Sequence, residues 1–417
     1  MSEAEARLYR VALPMRIGFD HPAARRSTSD SLVLSLTVDG VTGLGECAPR
    51  SYVTGETTAS VTEALRRVPM DRLFARLREA APQELLARLR EDGFEAALGL
   101  DLTGAGAARP EDGAGPEGPE RPGAHNNLVC LLETAVLDLL GHRLSAPAAE
   151  LLPATASGAA GPATLPVSQV LDLSIEVEEF LDTRGPFHFV KVKASEDIDR
   201  DARTVTAIRD RLGPKIPVMV DANMSWTPAT AVPYARRLRD AGVDLVEEPL
   251  PRRSWEALRT LRRASGIRVM LDESVCTLAD ARAAVAAEAC DAVNVRVAKN
   301  GGLLNAARLV AYARSAGLAF QIGVQVAETG PLINAGRALA FRSPDALTVE
   351  AGQSDRFFPG PEMIVSPRPL VDRRANTLAP PPGPGFGMRL TPAAARWAVL
   401  TWAHGHWYPT TPEENSR

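Results

Sequence analysis

Five short motifs decide the fold: FVKVKAS at 189–195, VMVDAN at 218–223, LVEEPL at 245–250, VMLDES at 269–274 and VAKNGG at 297–302. In each motif an apolar run gives way to charged or amide side chains. The steps from Lys193 through Asp221, Glu247 and Asp272 to Lys299 are 28, 26, 25 and 27 residues, each about the length of one strand and one helix. The spacing predicts successive βα units of a parallel sheet.

The same alternation continues outward on both sides of these motifs. We expect strands at 166–173, 189–194, 217–222, 243–248, 267–272, 291–298, 318–325 and 346–350. We expect helices at 200–212, 228–241, 254–265, 277–288, 303–315 and 330–341. A doubly wound open sheet would also give this alternation. The polar residues fall at the carboxyl ends of the strands, where α/β barrels place their active sites, and this favours a (β/α)7β TIM-like barrel.

The N-terminal region differs from this pattern and predicts a small α+β unit. Leu32–Val38 is rich in β-branched and leucine residues and ends at Asp39-Gly40, a strong hairpin signal before a second strand through Val41 to Glu46. Leucines and alanines at helical spacing follow over 57–99. Residues 103–125 are rich in Gly, Pro and Ala, a composition that predicts a flexible surface insertion.

Composition excludes several functional classes. The chain has 417 residues, is 45% hydrophobic, and carries a net charge of −4, so it lacks the basic field that nucleic acid or an anionic membrane would need. It contains no apolar run of the roughly 18 residues required to span a bilayer. The charged N-terminal sequence does not resemble a secretory signal, and the four scattered cysteines predict no disulfide framework. We therefore expect a cytoplasmic protein.

Three carboxylates, those of Asp221, Glu247 and Asp272, are expected at one rim of the barrel; we call them the acidic trio. Like charges at such a rim repel each other, and a divalent cation removes the conflict. Oxygen ligands favour Mg²⁺, with Mn²⁺ as a second possibility. Lys193 and Lys299 flank the trio and could act as a base–acid pair, while Lys191 shares the face of Lys193. Two alternatives remain open: a Schiff-base aldolase that uses one of the lysines as nucleophile, and a catalytically silent binding protein.

The motifs VKVKAS, VDAN, VEEPLP, LDES and VAKNGG resemble, in order and spacing, the enolase superfamily, and within it the muconate-lactonizing-enzyme subgroup. GLGECAPRSYVTGET (43–57), NLVCLLETAVLDLLGHRLSAPAAELLP (127–153) and GPGFGMRL (383–390) resemble segments of the same proteins. The resemblance implies an α+β capping domain at 1–127 and a barrel at 128–355. It also implies a C-terminal segment, 356–417, that returns to the capping domain.

The resemblance also implies roles for individual residues. The acidic trio would ligate Mg²⁺, and Lys193 and Lys299 would exchange protons on opposite faces of the substrate. Lys191 would support Lys193, and Asn223 and Glu273 would support the ligands. The substrate would be a small-molecule carboxylate that loses its α-proton to give an enediolate. Cycloisomerisation, syn-dehydration and racemisation, including that of N-acyl amino acids, all pass through this intermediate.

Substrate choice in such proteins is associated with the capping loops, here 18–30 and 47–56. His21, Arg25 and Arg26 could supply positive charge for a second anionic group, and Tyr52, Thr54 and Glu328 are further candidates for substrate contact. The end of the eighth strand, Val349-Glu350-Ala351-Gly352, lacks the Asp-x-Asp with which dipeptide epimerases hold an α-ammonium, which disfavours dipeptide epimerisation. None of the six histidines falls at the end of strand six or seven, so the His-Asp dyad of the mandelate-racemase subgroup is absent. Relatives of this kind self-associate, so we expect a homo-oligomer.

Overall fold

The structure is a computed structural model. It describes residues 4–21, 24–102, 125–153, 161–350, 352, 354–358, 360 and 363–410. The predicted insertion at 103–125 lies outside the described residues except for its last position.

The N-terminal region forms antiparallel strands followed by short helices. Its strands are β1 (Ala4–Val11), β2 (Pro14–His21), β3 (Ala24–Thr28), β4 (Ser31–Val38) and β5 (Val41–Cys47). Strands β1, β4 and β5 belong to one sheet, and β2 and β3 pair in a separate two-stranded sheet. Its helices are α1 (Ser51–Thr54), α2 (Thr58–Arg67), α3 (Met70–Glu79), α4 (Pro82–Asp92) and α5 (Phe94–Leu98). The predicted hairpin is confirmed: Val38 pairs with Val41, and Asp39 and Gly40 turn the chain with φ of 54° and 76°.

Helix α6 (Asn126–Leu144) packs across this sheet at unusually short range. A Cβ on Gly43 would lie 2.2 Å from the carbonyl oxygen of Ala135, and one on Gly45 would lie 2.1 Å from that of Leu131. Glycine is therefore required at both positions of β5, because any side chain would push the helix away. The Asp138 carboxylate of α6 accepts a hydrogen bond from Leu44 N (2.7 Å), which fixes the register of helix and strand.

The second region alternates strands and helices as expected. Its strands are β6 (Leu165–Pro166), β7 (Gln169–Leu171), β8 (Val190–Lys193), β9 (Val218–Asp221), β10 (Leu245–Glu247), β11 (Arg268–Leu271), β12 (Ala292–Val295), β13 (Ala319–Ile322) and β14 (Thr348–Val349). Its helices are α7 (Val177–Thr183), α8 (Ile198–Leu212), α9 (Pro228–Asp240), α10 (Trp255–Ser265), α11 (Leu278–Ala286), α12 (Leu303–Ser315), α13 (Pro331–Phe341) and α14 (Ser354–Phe357).

Strands β7 to β14 form one parallel sheet in sequence order, and the sheet closes on itself. Ser168 N, just before β7, donates to Val349 O of β14 (2.9 Å). The (β/α)7β barrel with an N-terminal capping domain is thus confirmed, and the open doubly wound sheet is excluded. A small cluster packs apart from the main core; it consists of one buried side chain from each of β9 to β12 and of the residue directly before β8: Met219, Leu245, Met270, Ala292 and Phe189.

The C-terminal segment crosses back to the N-terminal sheet. It contains β15 (Val365–Ser366), β16 (Thr377–Leu378), β17 (Arg389–Leu390), β18 (Ala398–Ala403) and β19 (His406–Pro409). Strand β18 pairs antiparallel with β1, which gives the capping sheet the order β19-β18-β1-β4-β5. No helix in the described part of the chain is both long enough and apolar enough to cross a bilayer.

Candidate active site

The carboxyl ends of successive barrel strands bring the predicted charged residues together. Lys193, Asp221 and Glu247 are direct register partners on β8, β9 and β10, and all three are buried. Asp272 follows β11 and is also fully buried. Parallel pairing in register places these side chains at one height on one rim. Residues that are evenly spaced in the sequence therefore lie close together in the structure.

Lys191 lies at the centre of the cluster and joins two acids of the trio. Its Nζ lies 2.9 Å from Asp221 Oδ2, 2.7 Å from Glu247 Oε2 and 3.0 Å from Glu350 Oε1. Burial by itself would lower the pKa of Lys191, but the three carboxylates outweigh it and raise that pKa well above its usual range. Lys191 is therefore a fixed positive charge and not a proton carrier at neutral pH.

Arg296 joins the other side of the trio. Its Nη2 contacts Asp272 Oδ2 directly and lies 3.9 Å from Glu247 Oε1, while its Nη1 donates to Gln325 Oε1 (3.2 Å). No catalytic role for Arg296 could be predicted from the sequence. It follows the same strand, β12, that leads to Lys299.

Lys299 is fully buried and completely hydrogen bonded. Its Nζ donates to Asp272 O (2.7 Å), Asp272 Oδ1 (2.9 Å) and Asn294 O (2.7 Å). The three donors of an ammonium group are therefore all used. Lys193 differs, because its Nζ lies beside a cleft while it donates to Asp221 Oδ2 (2.7 Å) and Asn223 Oδ1 (2.8 Å).

Asn223 and Glu273 extend this network behind Lys193. Asn223 Nδ2 donates to Glu273 Oε1 (3.3 Å), whereas Glu273 Oε2 is buried with no hydrogen-bond partner. Burial and the neighbouring Asp272 charge raise the pKa of Glu273 well above its usual range. Asn223 has a φ of 44°, a left-handed conformation that is tolerated by asparagine and costly for most other residues.

Glu248, which follows Glu247 in the sequence, accepts hydrogen bonds from the backbone after β11. Its carboxylate accepts hydrogen bonds from Asp272 N (2.7 Å) and from the backbone and hydroxyl of Ser274. Burial raises the pKa of Glu248 to about 7. These bonds fix the loop that carries Asp272, so the two adjacent glutamates at 247 and 248 have different tasks.

A cleft encloses about 760 Å³ above this rim, open solvent at its mouth included. The barrel and the capping domain both line it, through Tyr52, Val170, Asp172, Lys191, Lys193, Asn223, Arg296, Val324, Gln325, Val326, Ala327, Glu350, Gly352, Arg356 and Phe357.

Of the other five residues predicted to contact the substrate, three have side chains outside the described part of the chain and two do not line the cleft. The side chains of His21, Arg25 and Arg26 lie outside the described part of the chain. Thr54 faces α6, where its Oγ1 accepts from Asn127 Nδ2 (3.1 Å). Glu328 turns back to accept from Gln325 N (2.6 Å) and is not part of the cleft wall.

The capping domain is held over the cleft by buried polar contacts. The Glu46 carboxylate accepts from the backbone of Thr329 (2.6 Å), Gly330 (2.9 Å) and Leu332 (3.1 Å) at the start of α13. Arg50, fully buried, donates to Val326 O. These contacts tie the loop that carries Tyr52 to the barrel rim.

Among the described residues, no group of three acidic, histidine or cysteine side chains is already arranged to hold a metal ion. Lys191 and Arg296 explain this, because their cationic groups stand between the three carboxylates. These two cations thus balance part of the negative charge of the rim.

An α/β barrel with carboxylates and lysines on its rim and a capping domain above defines a class of small-molecule enzymes. Residues 172–394 match the family described as enolase C-terminal domain-like, and the chain belongs to that family. It is 26% identical over 321 residues to L-Ala-D/L-Glu epimerase of Bacillus subtilis strain 168, a match that covers 75% of this chain and 78% of that protein.

Solved structures show the same fold. N-succinyl Arg/Lys racemase from Bacillus cereus ATCC 14579 superposes with a TM-score of 0.77 at 22% identity, covering 97% of this chain and all of the other. Muconate lactonizing enzyme from Pseudomonas fluorescens, complexed with muconolactone, gives a TM-score of 0.73 at 23% identity, covering 95% of this chain and 99% of the other.

Membership in the enolase superfamily, expected from the motifs, is confirmed, and the chain is an enzyme of the isomerase type that abstracts the α-proton of a carboxylate substrate. The aldolase and silent-protein alternatives gain no support. The similar proteins include epimerases, racemases and cycloisomerases, so the muconate-lactonizing subgroup is not distinguished from the others.

Proposed function

We propose that this enzyme racemises or epimerises a small carboxylate, with Lys193 and Lys299 as the two proton carriers and the acidic trio as the Mg²⁺ ligands. The observation that carries the proposal is the position of the lysines on the ring. Lys193 ends β8 and Lys299 follows β12, four strands further round a closed barrel of eight. The two lysines therefore lie on opposite sides of the rim, as proton removal on one face and return on the other require.

The chemistry of the donor set fits Mg²⁺. The trio offers only carboxylate oxygens, and all three residues are buried. Glu247 Oε2 contacts the Lys191 ammonium but accepts no hydrogen bond of regular geometry. Burial, and then repulsion from Asp221, raise the pKa of Glu247 to about 7, so a further positive charge is favoured there. Bound Mg²⁺ would supply the positive charge that stabilises the substrate carboxylate while its α-proton leaves.

The protein's own side chains carry out the remaining steps of the reaction. Lys193 exchanges the α-proton on the cleft side, held in place by Asn223 Oδ1. Lys191 stays protonated and adds fixed positive charge beside it. Lys299 serves the opposite face once Asp272 releases its ammonium group. Tyr52 and the capping loop restrict water above the cleft.

The cleft favours a substrate without a free α-ammonium group. Both acids on its wall are engaged: Glu350 with Lys191 Nζ and Val324 N (2.9 Å), and Asp172 with Ser174 N (2.9 Å). An α-ammonium group would have to compete with these partners. This supports an N-acylated amino acid over a free dipeptide as substrate, and it agrees with the absence of Asp-x-Asp after β14.

One observation favours a second candidate, a cycloisomerase of the muconate-lactonizing type. Lys299 is fully hydrogen bonded and is not part of the cleft wall. Cyclisation needs only one active proton carrier, and Lys193 alone would supply it.

The homo-oligomeric assembly and the cytoplasmic location expected from the sequence stay predictions.

Proton NMR in D₂O distinguishes the candidates. With Mg²⁺ and a panel of N-acyl amino acids and muconates, we expect loss of the α-proton signal of N-acyl amino acids together with inversion at the α-carbon. Lys299→Met should then abolish exchange of the α-proton in one enantiomer of the substrate and leave this exchange unchanged in the other enantiomer. Turnover of muconates to lactone, with no exchange of amino acid derivatives, would favour the cycloisomerase. Wild-type activity in Lys193→Ala/Lys299→Ala would contradict both candidates.

A further inference from the structure

We infer that Gln325 determines substrate specificity by donating a hydrogen bond to the acyl carbonyl oxygen of an N-acyl amino acid. The inference rests on the proposed function and deepens it, because it names the residue that recognises the acyl group. Gln325 follows β13, lines the same cleft as Lys193 and is only 1% exposed. Its amide is therefore shielded from bulk solvent at the wall of the cleft.

The orientation of the Gln325 amide follows from its neighbour Arg296. Arg296 Nη1 donates to Gln325 Oε1 (3.2 Å), and a guanidinium has only donors, so the oxygen of the amide must face it. The backbone is also fixed, because Gln325 N donates to Glu328 Oε1 (2.6 Å). Among the described residues, Nε2 of Gln325 is buried and has no hydrogen-bond partner. A buried amide nitrogen without an acceptor is costly, so this NH2 group favours a ligand that supplies one.

Gln325 lies across the rim from Asp221. Its strand, β13, is four strands away from β9, which carries Asp221, in a closed barrel of eight. The guanidinium of Arg296 reaches both Asp272 and Gln325, so a single planar group spans the gap between the acidic trio and the amide. In an N-acyl amino acid only a few bonds separate the carboxylate from the acyl oxygen. A substrate whose carboxylate lies at the trio would therefore place its acyl oxygen near Gln325.

The surroundings of Gln325 favour a neutral acceptor. Glu350 lines the same wall and accepts from Val324 N (2.9 Å), and its negative charge opposes a second carboxylate there. The positive charge of Arg296, bound to the amide oxygen, opposes an ammonium group. Val326 adds apolar surface for the carbons of an acyl chain. A carbonyl oxygen on a short acyl chain meets all of these conditions.

Matched pairs of substrates test the inference. N-acetyl derivatives of alanine, leucine and phenylalanine are compared with their N-thioacetyl analogues, in which sulfur, a weak hydrogen-bond acceptor, replaces the carbonyl oxygen. The rate of α-proton exchange in D₂O with Mg²⁺ gives kcat/KM for each compound, and calorimetric titration of Lys193→Met gives their affinity without turnover. We expect the wild-type enzyme to prefer the oxygen compounds by about tenfold, the scale of one hydrogen bond. The preference should lie in KM more than in kcat, because the acyl group does not react.

The variants are Gln325→Glu and Gln325→Leu, with the exposed Gln83→Glu as control. Gln325→Glu keeps the shape of the side chain and an oxygen for Arg296 but removes the NH2 group, whereas Gln325→Leu removes both. Each should reduce the preference for the oxygen compounds to near unity, and Gln83→Glu should retain it. Melting temperatures establish that each variant folds.

The outcomes separate this inference from the proposed function. Equal kcat/KM for the oxygen and sulfur compounds in the wild-type enzyme, or an undiminished preference in the folded Gln325 variants, would overturn the role of Gln325 while leaving α-proton abstraction intact. Turnover of muconates without exchange of any N-acyl amino acid would overturn this role together with the racemase, and would retain the cycloisomerase. Absence of both activities would overturn the proposed function as well.

Discussion

The guanidinium Nη2 of Arg296 contacts the Oδ2 of Asp272 directly, across the ends of two neighbouring barrel strands. The same Nη2 lies 3.9 Å from Glu247, so one arginine stands between two proposed metal ligands. Arg296 and Mg²⁺ therefore compete for the same carboxylate oxygens.

Replacement of Arg296 by methionine should strengthen Mg²⁺ binding at least tenfold. The change removes a buried positive charge that repels Mg²⁺ and that is bound to Asp272, one of the proposed ligands. At such distances the repulsion amounts to a few kcal/mol. Calorimetric titration of Mg²⁺ measures it. Arg268→Met, on the preceding strand and exposed, is the matched control. Weaker Mg²⁺ binding in Arg296→Met would show that the arginine supports the site and does not compete with the metal.

Lys193→Met should reduce α-proton exchange by about 1,000-fold, the scale of losing a positioned general base. The binding of Mg²⁺ should change far less, because the acidic trio is untouched. Exchange into substrate is followed by proton NMR. Lys215→Met, an exposed lysine, should behave as the wild-type enzyme does. Full activity in Lys193→Met would remove this residue from the mechanism.

Glu46→Ala should destabilise the protein by about 3 kcal/mol. The carboxylate accepts hydrogen bonds from Thr329, Gly330 and Leu332, and its loss would leave these buried donors without an acceptor. Chemical denaturation of Glu46→Ala and of the exposed control Glu63→Ala measures the difference. A loss in Glu46→Ala no greater than that in the control would show that this contact between capping domain and barrel contributes little.

Glu328→Gln should gain stability relative to the wild-type protein as the pH rises. Burial, and then the charge of Glu46, raise the pKa of Glu328 well above the usual range of a glutamate. Between the two pKa values the unfolded chain has released the proton and the folded chain has kept it, so wild-type stability falls with increasing pH by up to about 1.4 kcal/mol per unit.

Melting temperatures at pH 5 and pH 8 test this prediction for the wild-type protein, for Glu328→Gln and for the exposed control Glu256→Gln. The glutamine variant keeps the acceptor for Gln325 N. A constant difference between Glu328→Gln and the wild-type protein over this range would mean that Glu328 is ionised in the folded state.

The barrel and its charged rim could be predicted because both depend on short-range patterns. The apolar runs before Lys193, Asp221, Glu247 and Asp272 each form a strand that ends at that residue or directly before it. The Asp39-Gly40 turn likewise follows from local backbone preference. The (β/α)7β barrel implies a helix between its first two strands, but its bounds could not be predicted, because the seven residues of α7, Val177–Thr183, give too few turns to show a period.

The side-chain partners could not be predicted, because they join positions far apart in the sequence. Glu46 reaches Thr329 across 283 residues, and Arg356 reaches Val170 across 186. The side-chain conformation of Arg296 places its guanidinium between Glu247 and Asp272, and the spacing of residues in the sequence does not reveal this. Glu350 was noted only as the absence of an Asp-x-Asp pattern, although it is a direct partner of Lys191.

The central claim is that the acidic trio binds a hard divalent cation, and calorimetric titration of Mg²⁺ tests it most directly. Glu247→Gln keeps the shape of the side chain and its contact with Asn294 while removing one anionic ligand. We predict one Mg²⁺ site per chain in the wild-type protein and affinity reduced at least tenfold in Glu247→Gln. Absence of Mg²⁺ binding to the wild-type protein, or equal affinity in the folded variant, would contradict the account.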